Sequence, residues 1–168
     1  IGMALLKAQE LGMLDLDDPV NKYLPFKVVI PKVPDQEITL RQLSCHTSSI
    51  RDTEVYDQKS YVLKEKMSEE DRENIEAYEN FNDPDSAVSM EEFFQRVLAP
   101  DGTWYSEGVY LDSKPGTKFE YSNVAAALTA YALERATQTD YREFTRTHIL
   151  EPLEMKSSGW SFDQVHLE

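Results

Sequence analysis

Tyr121 and Asn123 stand two positions apart, a phenol that can hold or release a proton beside an amide that can both donate and accept. In an extended or turn backbone, residues i and i+2 project to the same side, so both side chains can enter one cleft while Ser122 faces away. Read bare, the same residues fit an aromatic side chain packed at a strand end and an asparagine capping the next helix. The other chemistry-bearing residues are dispersed. His46, His148 and His166 have no His-Glu-x-x-His spacing, and Cys45 has no second thiol for a disulfide or a zinc site. No metal site is expected from them. His46 reads as a structural hydrogen-bonding residue, His148 as a member of an apolar helical face, and Cys45 as a buried small apolar side chain. No Gly-x-Ser-x-Gly elbow and no Gly-x-Gly phosphate cradle occurs in the chain, and no cofactor is expected.

The elements that must position these residues are mostly helical. Apolar residues at Ile1, Ala4, Leu5, Ala8 and Leu11 share one helical face, and Gly12 suits a left-handed stop. No N-cap residue precedes this helix, so its beginning is expected to lie before Ile1. Pro19 and Pro25 break the stretch that follows, and Val28 to Ile30 reads as a short extended piece. Thr39 with Gln42 forms a capping box ahead of Leu40 and Leu43, and Ser89 with Glu92 forms another ahead of Phe93, Phe94, Val97 and Leu98. Lys114-Pro115-Gly116-Thr117 is a turn, Phe119 to Tyr121 is extended, and Ser122 or Asn123 caps a helix over Val124 to Thr137. Asp140 with Glu143 opens a last helix with Tyr141, Phe144, His148 and Ile149 on one side. Trp104, Tyr105 and Tyr110 either line a cleft beside Tyr121 or pack in the core.

Composition narrows the function classes. The 168 residues carry 17 Lys+Arg against 31 Asp+Glu, a formal net charge of −14, which repels phosphate backbones and excludes nucleic acid as a partner. Residues 65–92 hold 11 acidic and 2 basic side chains and read as a solvated surface segment, a helix with loops inserted at the surface. No stretch is apolar enough for a membrane span.

Four segments, in order, resemble one family: Leu5 to Pro25 (LLKAQELGMLDLDDPVNKYLP), Ile38 to Ser48 (ITLRQLSCHTS), Lys114 to Asn123 (KPGTKFEYSN) and Ile149 to Met155 (ILEPLEM). They are similar to the serine β-lactamase-related family, which includes class C β-lactamases, D-alanyl-D-alanine peptidases and esterases sharing a penicillin-recognising fold. About residues 50–113 carry no resemblance. What the family implies is acyl transfer in two steps: a serine of Ser-x-x-Lys attacks an amide or ester carbonyl, and water releases the acyl group. Lysine and tyrosine together manage the serine proton, since neighbouring positive charge stabilises a phenolate. Tyr121 matches that catalytic tyrosine. Asn123 matches the asparagine that binds the substrate's acyl side chain and the lysine.

The chain contains no Ser-x-x-Lys and no Lys-Thr-Gly or His-x-Gly strand. By the family's order these are expected ahead of Ile1 and after Glu168, which makes residues 1–168 a single helical lobe of the α+β β-lactamase and transpeptidase-like fold, mainly α, with the sheet-containing lobe largely missing. The isolated chain is expected to be inactive. Where the family writes Gly, this chain has Ser49 after His-Thr-Ser and Glu154 before Met155. The first puts a left-handed turn in question, and the second is a surface tolerance. The family's habit implies an extracytoplasmic location and a small-molecule or peptide substrate. Two other readings stay open: a pseudoenzyme that keeps the cleft for recognition, and an acidic helical interaction module.

Overall fold

The computed structural model describes residues 1–70 and 81–165. The middle of the acidic segment, residues 71–80, and His166 lie outside the described residues. Six α-helices are described: α1 (Gly2–Glu10), α2 (Leu40–Ser44), α3 (Glu54–Ser60), α4 (Met90–Leu98), α5 (Asn123–Thr137) and α6 (Tyr141–Thr145), which runs on into a π turn over Arg146–Leu150. Among the described residues there is no β-strand, only isolated bridges at Pro19 and Thr39, Ile50 and Tyr110, and Val62 and Asn82. The architecture is mostly helical.

α5 forms the centre because its sequence gives it an apolar surface wider than one stripe. Val124, Ala125, Leu128, Tyr131, Ala132 and Leu133 are all buried, and the small alanines at its start let neighbours approach closely. It packs against α1, α2 and α6. Leu5 and Ala8 of α1, Leu40 and Leu43 of α2, and Phe94, Val97 and Leu98 of α4 complete the core with Phe144. Each such large side chain contributes about 1.5–3 kcal/mol when fully buried.

The helix starts follow local chemistry. Thr39 and Gln42 make the reciprocal capping box, whereas at α4 only half of the second box forms: Ser89 accepts from Glu92 N–H, and the Glu92 carboxylate pairs with Arg96 instead. Asp140 caps α6 by accepting from the N–H groups of Arg142 and Glu143. Gly12 does end the first helix region in the left-handed conformation, at φ 70°. Ser49 and Glu154 adopt φ 65° and 55°, so the left-handed turn in question after His-Thr-Ser forms without glycine. Ser49 is held there by its hydroxyl, which donates to Ser113 C=O at 2.7 Å.

One expectation fails in the described region, and one open alternative is decided. Cys45 is exposed rather than buried: it is the C-cap of α2, where the helix that buries Leu40 and Leu43 has ended. Tyr110 is a core residue: its hydroxyl donates to Leu98 C=O at 2.9 Å, and burial raises its phenol far above the ordinary range. Trp104 sits between the Phe93 ring and the Arg96 guanidinium, which lies 4.7 Å from its ring centroid. For these aromatics the structure selects packing over the cleft.

Candidate active site

The segments that carry His46 and Tyr121 meet in space. Arg51 N–H donates to Val109 C=O at 3.0 Å, Leu111 N–H to Ser49 C=O at 2.9 Å, Gly116 N–H to Thr47 C=O at 2.7 Å and Glu120 N–H to His46 C=O at 2.8 Å. The chain from 46 to 51 therefore runs beside the chain from 109 to 120. Gly116 is required in this pairing: its φ is 84°, and a Cβ there would stand 3.1 Å from Gln42 Nε2.

His46 locks the entry to α5. At φ 56° it occupies the left-handed region, where histidine is enriched, and this turns its carbonyl toward Glu120 and its ring toward Ser122. Its Nδ1 accepts from Ser122 N–H at 3.2 Å, which places the proton of the neutral ring on Nε2. The same ring lies 4.6 Å from the Tyr121 ring and 6.0 Å from Phe119. The structural role expected for His46 is the one it performs here.

Ser122 is the N-cap of α5 and is fully buried, accepting from Ala125 N–H at 3.0 Å. Asn123 is thus the first helical residue and not the cap, which frees its side chain. The Tyr121 hydroxyl donates to Asn123 Oδ1 at 3.1 Å. The two residues singled out by their i, i+2 spacing are in direct contact on the exposed side, with Tyr121 62% exposed, while Ser122 faces inward. The arrangement can hold a phenolic proton against an amide oxygen and present both groups to a molecule in solvent.

Asp52 joins this pair without any signal in its spacing. Its Oδ1 accepts from Ser122 Oγ at 3.1 Å and Val124 N–H at 2.9 Å, and its Oδ2 accepts from Asn123 N–H at 2.8 Å and Asn123 Nδ2 at 2.7 Å. A carboxylate at the N-terminus of a 15-residue helix also meets the positive end of the helix dipole. Asp52 lies in the stretch that carries no resemblance, and nothing in the linear sequence points to it. His148 lies elsewhere, its ring 4.6 Å from Phe144 in the last helical stretch. Among the described residues no group of three His, Cys, Asp or Glu could hold a metal ion, and no helix is long and apolar enough to cross a membrane.

A family model described as Beta-lactamase matches residues 1–165. The chain is 26% identical over 155 residues to Protein flp of Staphylococcus aureus, covering 92% of this chain and 25% of that protein. It is 27% identical over 158 residues to the D-alanyl-D-alanine-carboxypeptidase/endopeptidase AmpH of Escherichia coli, covering 94% of this chain and 33% of that one. Among solved structures, a beta-lactamase/D-alanine carboxypeptidase from Yersinia pestis superposes with a TM-score of 0.57 at 24% identity, over 96% of this chain and 38% of the other, a likeness of fold. The chain spans a quarter to a third of the length of these curated relatives.

Proposed function

Because the chain belongs to the beta-lactamase family, we propose that residues 1–168 are the helical lobe of a longer serine hydrolase that acts on an amide or ester substrate, whether β-lactam, D-Ala-D-Ala peptide or ester, through a serine acyl-enzyme. The observation that carries this reading is the Tyr121–Asn123 contact at 3.1 Å, formed by the two residues that match the family's catalytic tyrosine and substrate-binding asparagine. In the reaction the serine oxygen bonds to the substrate carbonyl carbon as its proton passes to the pair that Tyr121 forms with the lysine of Ser-x-x-Lys. That proton then goes to the leaving nitrogen or oxygen as its bond to carbon breaks, and water repeats the cycle on the acyl group. Tyr121 is the catalytic residue that this chain contributes. Asn123 offers its amide to the substrate.

Exposed apolar side chains support a lobe with a missing neighbour: Met3 and Leu6 on the outer side of α1, Phe119, Leu153 and Phe162 are each more than half exposed. The acidic segment 65–92 is a surface insertion in this reading, and the whole protein works outside the cytoplasm.

The test uses the complete reading frame that contains this chain. Its product is incubated with a chromogenic cephalosporin and with p-nitrophenyl acetate, and the intact protein is weighed for an acyl adduct. The expected result is a Ser-x-x-Lys within about ten residues ahead of Ile1 and an adduct on that serine. A frame without such a serine, together with no adduct, overturns the reading in favour of a recognition protein built on the same fold.

A further inference from the structure

The pairing of Asp52 with α5 saturates the carboxylate. A carboxylate offers about four acceptor positions, and Asp52 fills them with Ser122 Oγ, the backbone N–H groups of Asn123 and Val124, and the Asn123 side-chain amide. The first three of the four tie the carboxylate to the start of the helix, as a helix cap does. The bond from Asn123 Nδ2 is different, because it runs to a side chain that does nothing for the helix. It settles which way the amide faces: an ionised carboxylate only accepts, so the NH2 group must point to Asp52 and the oxygen must point to Tyr121. The Tyr121 hydroxyl then has an acceptor waiting at 3.1 Å, although its ring is mostly in solvent.

We infer that Asp52 is a positioning residue of the candidate active site: its carboxylate orients the Asn123 amide, and through it the Tyr121 hydroxyl, before any substrate arrives. This rests on the reading of Tyr121 and Asn123 as the catalytic pair. Asp52 touches neither the Tyr121 hydroxyl nor a substrate position directly. Asp52 holds the backbone of 123 and 124 and the hydroxyl of Ser122 while His46 fixes 120 and 122 from the other side, so Tyr121 is pinned at both neighbours and only its side chain remains to be aimed. A preorganised hydrogen-bonding group loses less on reaching the reactive geometry than one that must first be ordered.

The test is an NMR comparison of the full-length protein that contains this chain, 15N-labelled in its asparagine side chains, in which the Asn123 side-chain NH2 pair is assigned from Asn123→Asp. Asp52→Ala, Tyr121→Phe and the unmodified protein are compared at pH 7, with helix content checked by circular dichroism. The expected result is that the Asn123 NH2 protons are widely separated in the unmodified protein, stay so in Tyr121→Phe, and collapse to the positions of a free asparagine amide in Asp52→Ala. Unchanged Asn123 resonances in a folded Asp52→Ala overturn the inference and leave Asp52 a helix cap only. Should Asp52→Ala fail to fold, Tyr121→Phe decides: collapse there shows that the tyrosine, not Asp52, holds the amide. No substrate enters this measurement, so it stands or falls separately from the acyl-adduct test of the hydrolase reading.

Discussion

Asp52 and Asn123 lie 71 positions apart in the chain and are joined twice, by the backbone N–H of Asn123 at 2.8 Å and by its side-chain amide at 2.7 Å, both to the same carboxylate oxygen. One acidic residue thereby begins the central helix and aims the side chain of that helix's first residue. Fold and candidate chemistry share a single joint.

Removing that joint costs stability. Asp52→Ala takes away the acceptor for two backbone N–H groups and for Ser122 Oγ, as well as the charge at the positive end of α5. A helix-cap loss with charge-assisted hydrogen bonds is worth about 2 kcal/mol. Thermal unfolding followed by circular dichroism should show the midpoint falling by about 4–8 °C. A fall of less than about 1 °C contradicts the capping role.

Two of the left-handed residues, Glu154 and Ser49, answer differently to glycine. Glu154 at φ 55° is exposed, and Glu154→Gly relieves the strain of a Cβ in that conformation, a gain of about 0.5–1 kcal/mol after the entropy cost of glycine. Ser49 at φ 65° has the same backbone, but Ser49→Gly also strips the hydroxyl from Ser113 C=O at a buried position and should yield no gain. Urea midpoints of the two variants check the contrast. A stabilised Ser49→Gly contradicts it.

The acid limb of stability carries a signature of α6. The Arg142 side-chain hydrogen bond, with backbone N–H groups of Arg142 and Glu143, holds the Asp140 carboxyl down to about 2 from its ordinary 3.8. A carboxyl depressed on folding stabilises the native state above its unfolded value, and this contribution fades as pH falls from near 4 through about 2. Asparagine keeps the capping oxygen without the charge. Urea midpoints of Asp140→Asn should therefore lie below those of the unmodified chain at pH 6 and converge with them by about pH 2. Parallel curves across that range would show that the charge contributes nothing.

The helices were legible where a cap and an apolar period coincide. Thr39 with Gln42, Ser89 before Phe93, and Asp140 before Phe144 each announce a start that the structure keeps, because caps are local chemistry. Cys45 and Tyr110 were not legible in the same way. Their burial depends on which side of the chain meets a distant segment, as when Tyr110 reaches back to Leu98. Within the candidate site, Tyr121 and Asn123 show through their spacing and their motif. Asp52 does not, since its four partners are brought to it by the pairing of residues 46–51 with 109–120.

The most direct measurement of the central claim is the single-turnover acylation rate of the full-length protein with and without the Tyr121 hydroxyl. Tyr121→Phe removes one hydroxyl whose sole hydrogen bond among the described contacts is to Asn123 Oδ1, so stability should change by no more than about 0.5 kcal/mol. The account predicts that formation of the acyl adduct slows by about 100-fold or more in this variant at unchanged thermal midpoint. An adduct that forms at the unmodified rate would show that Tyr121 manages no proton.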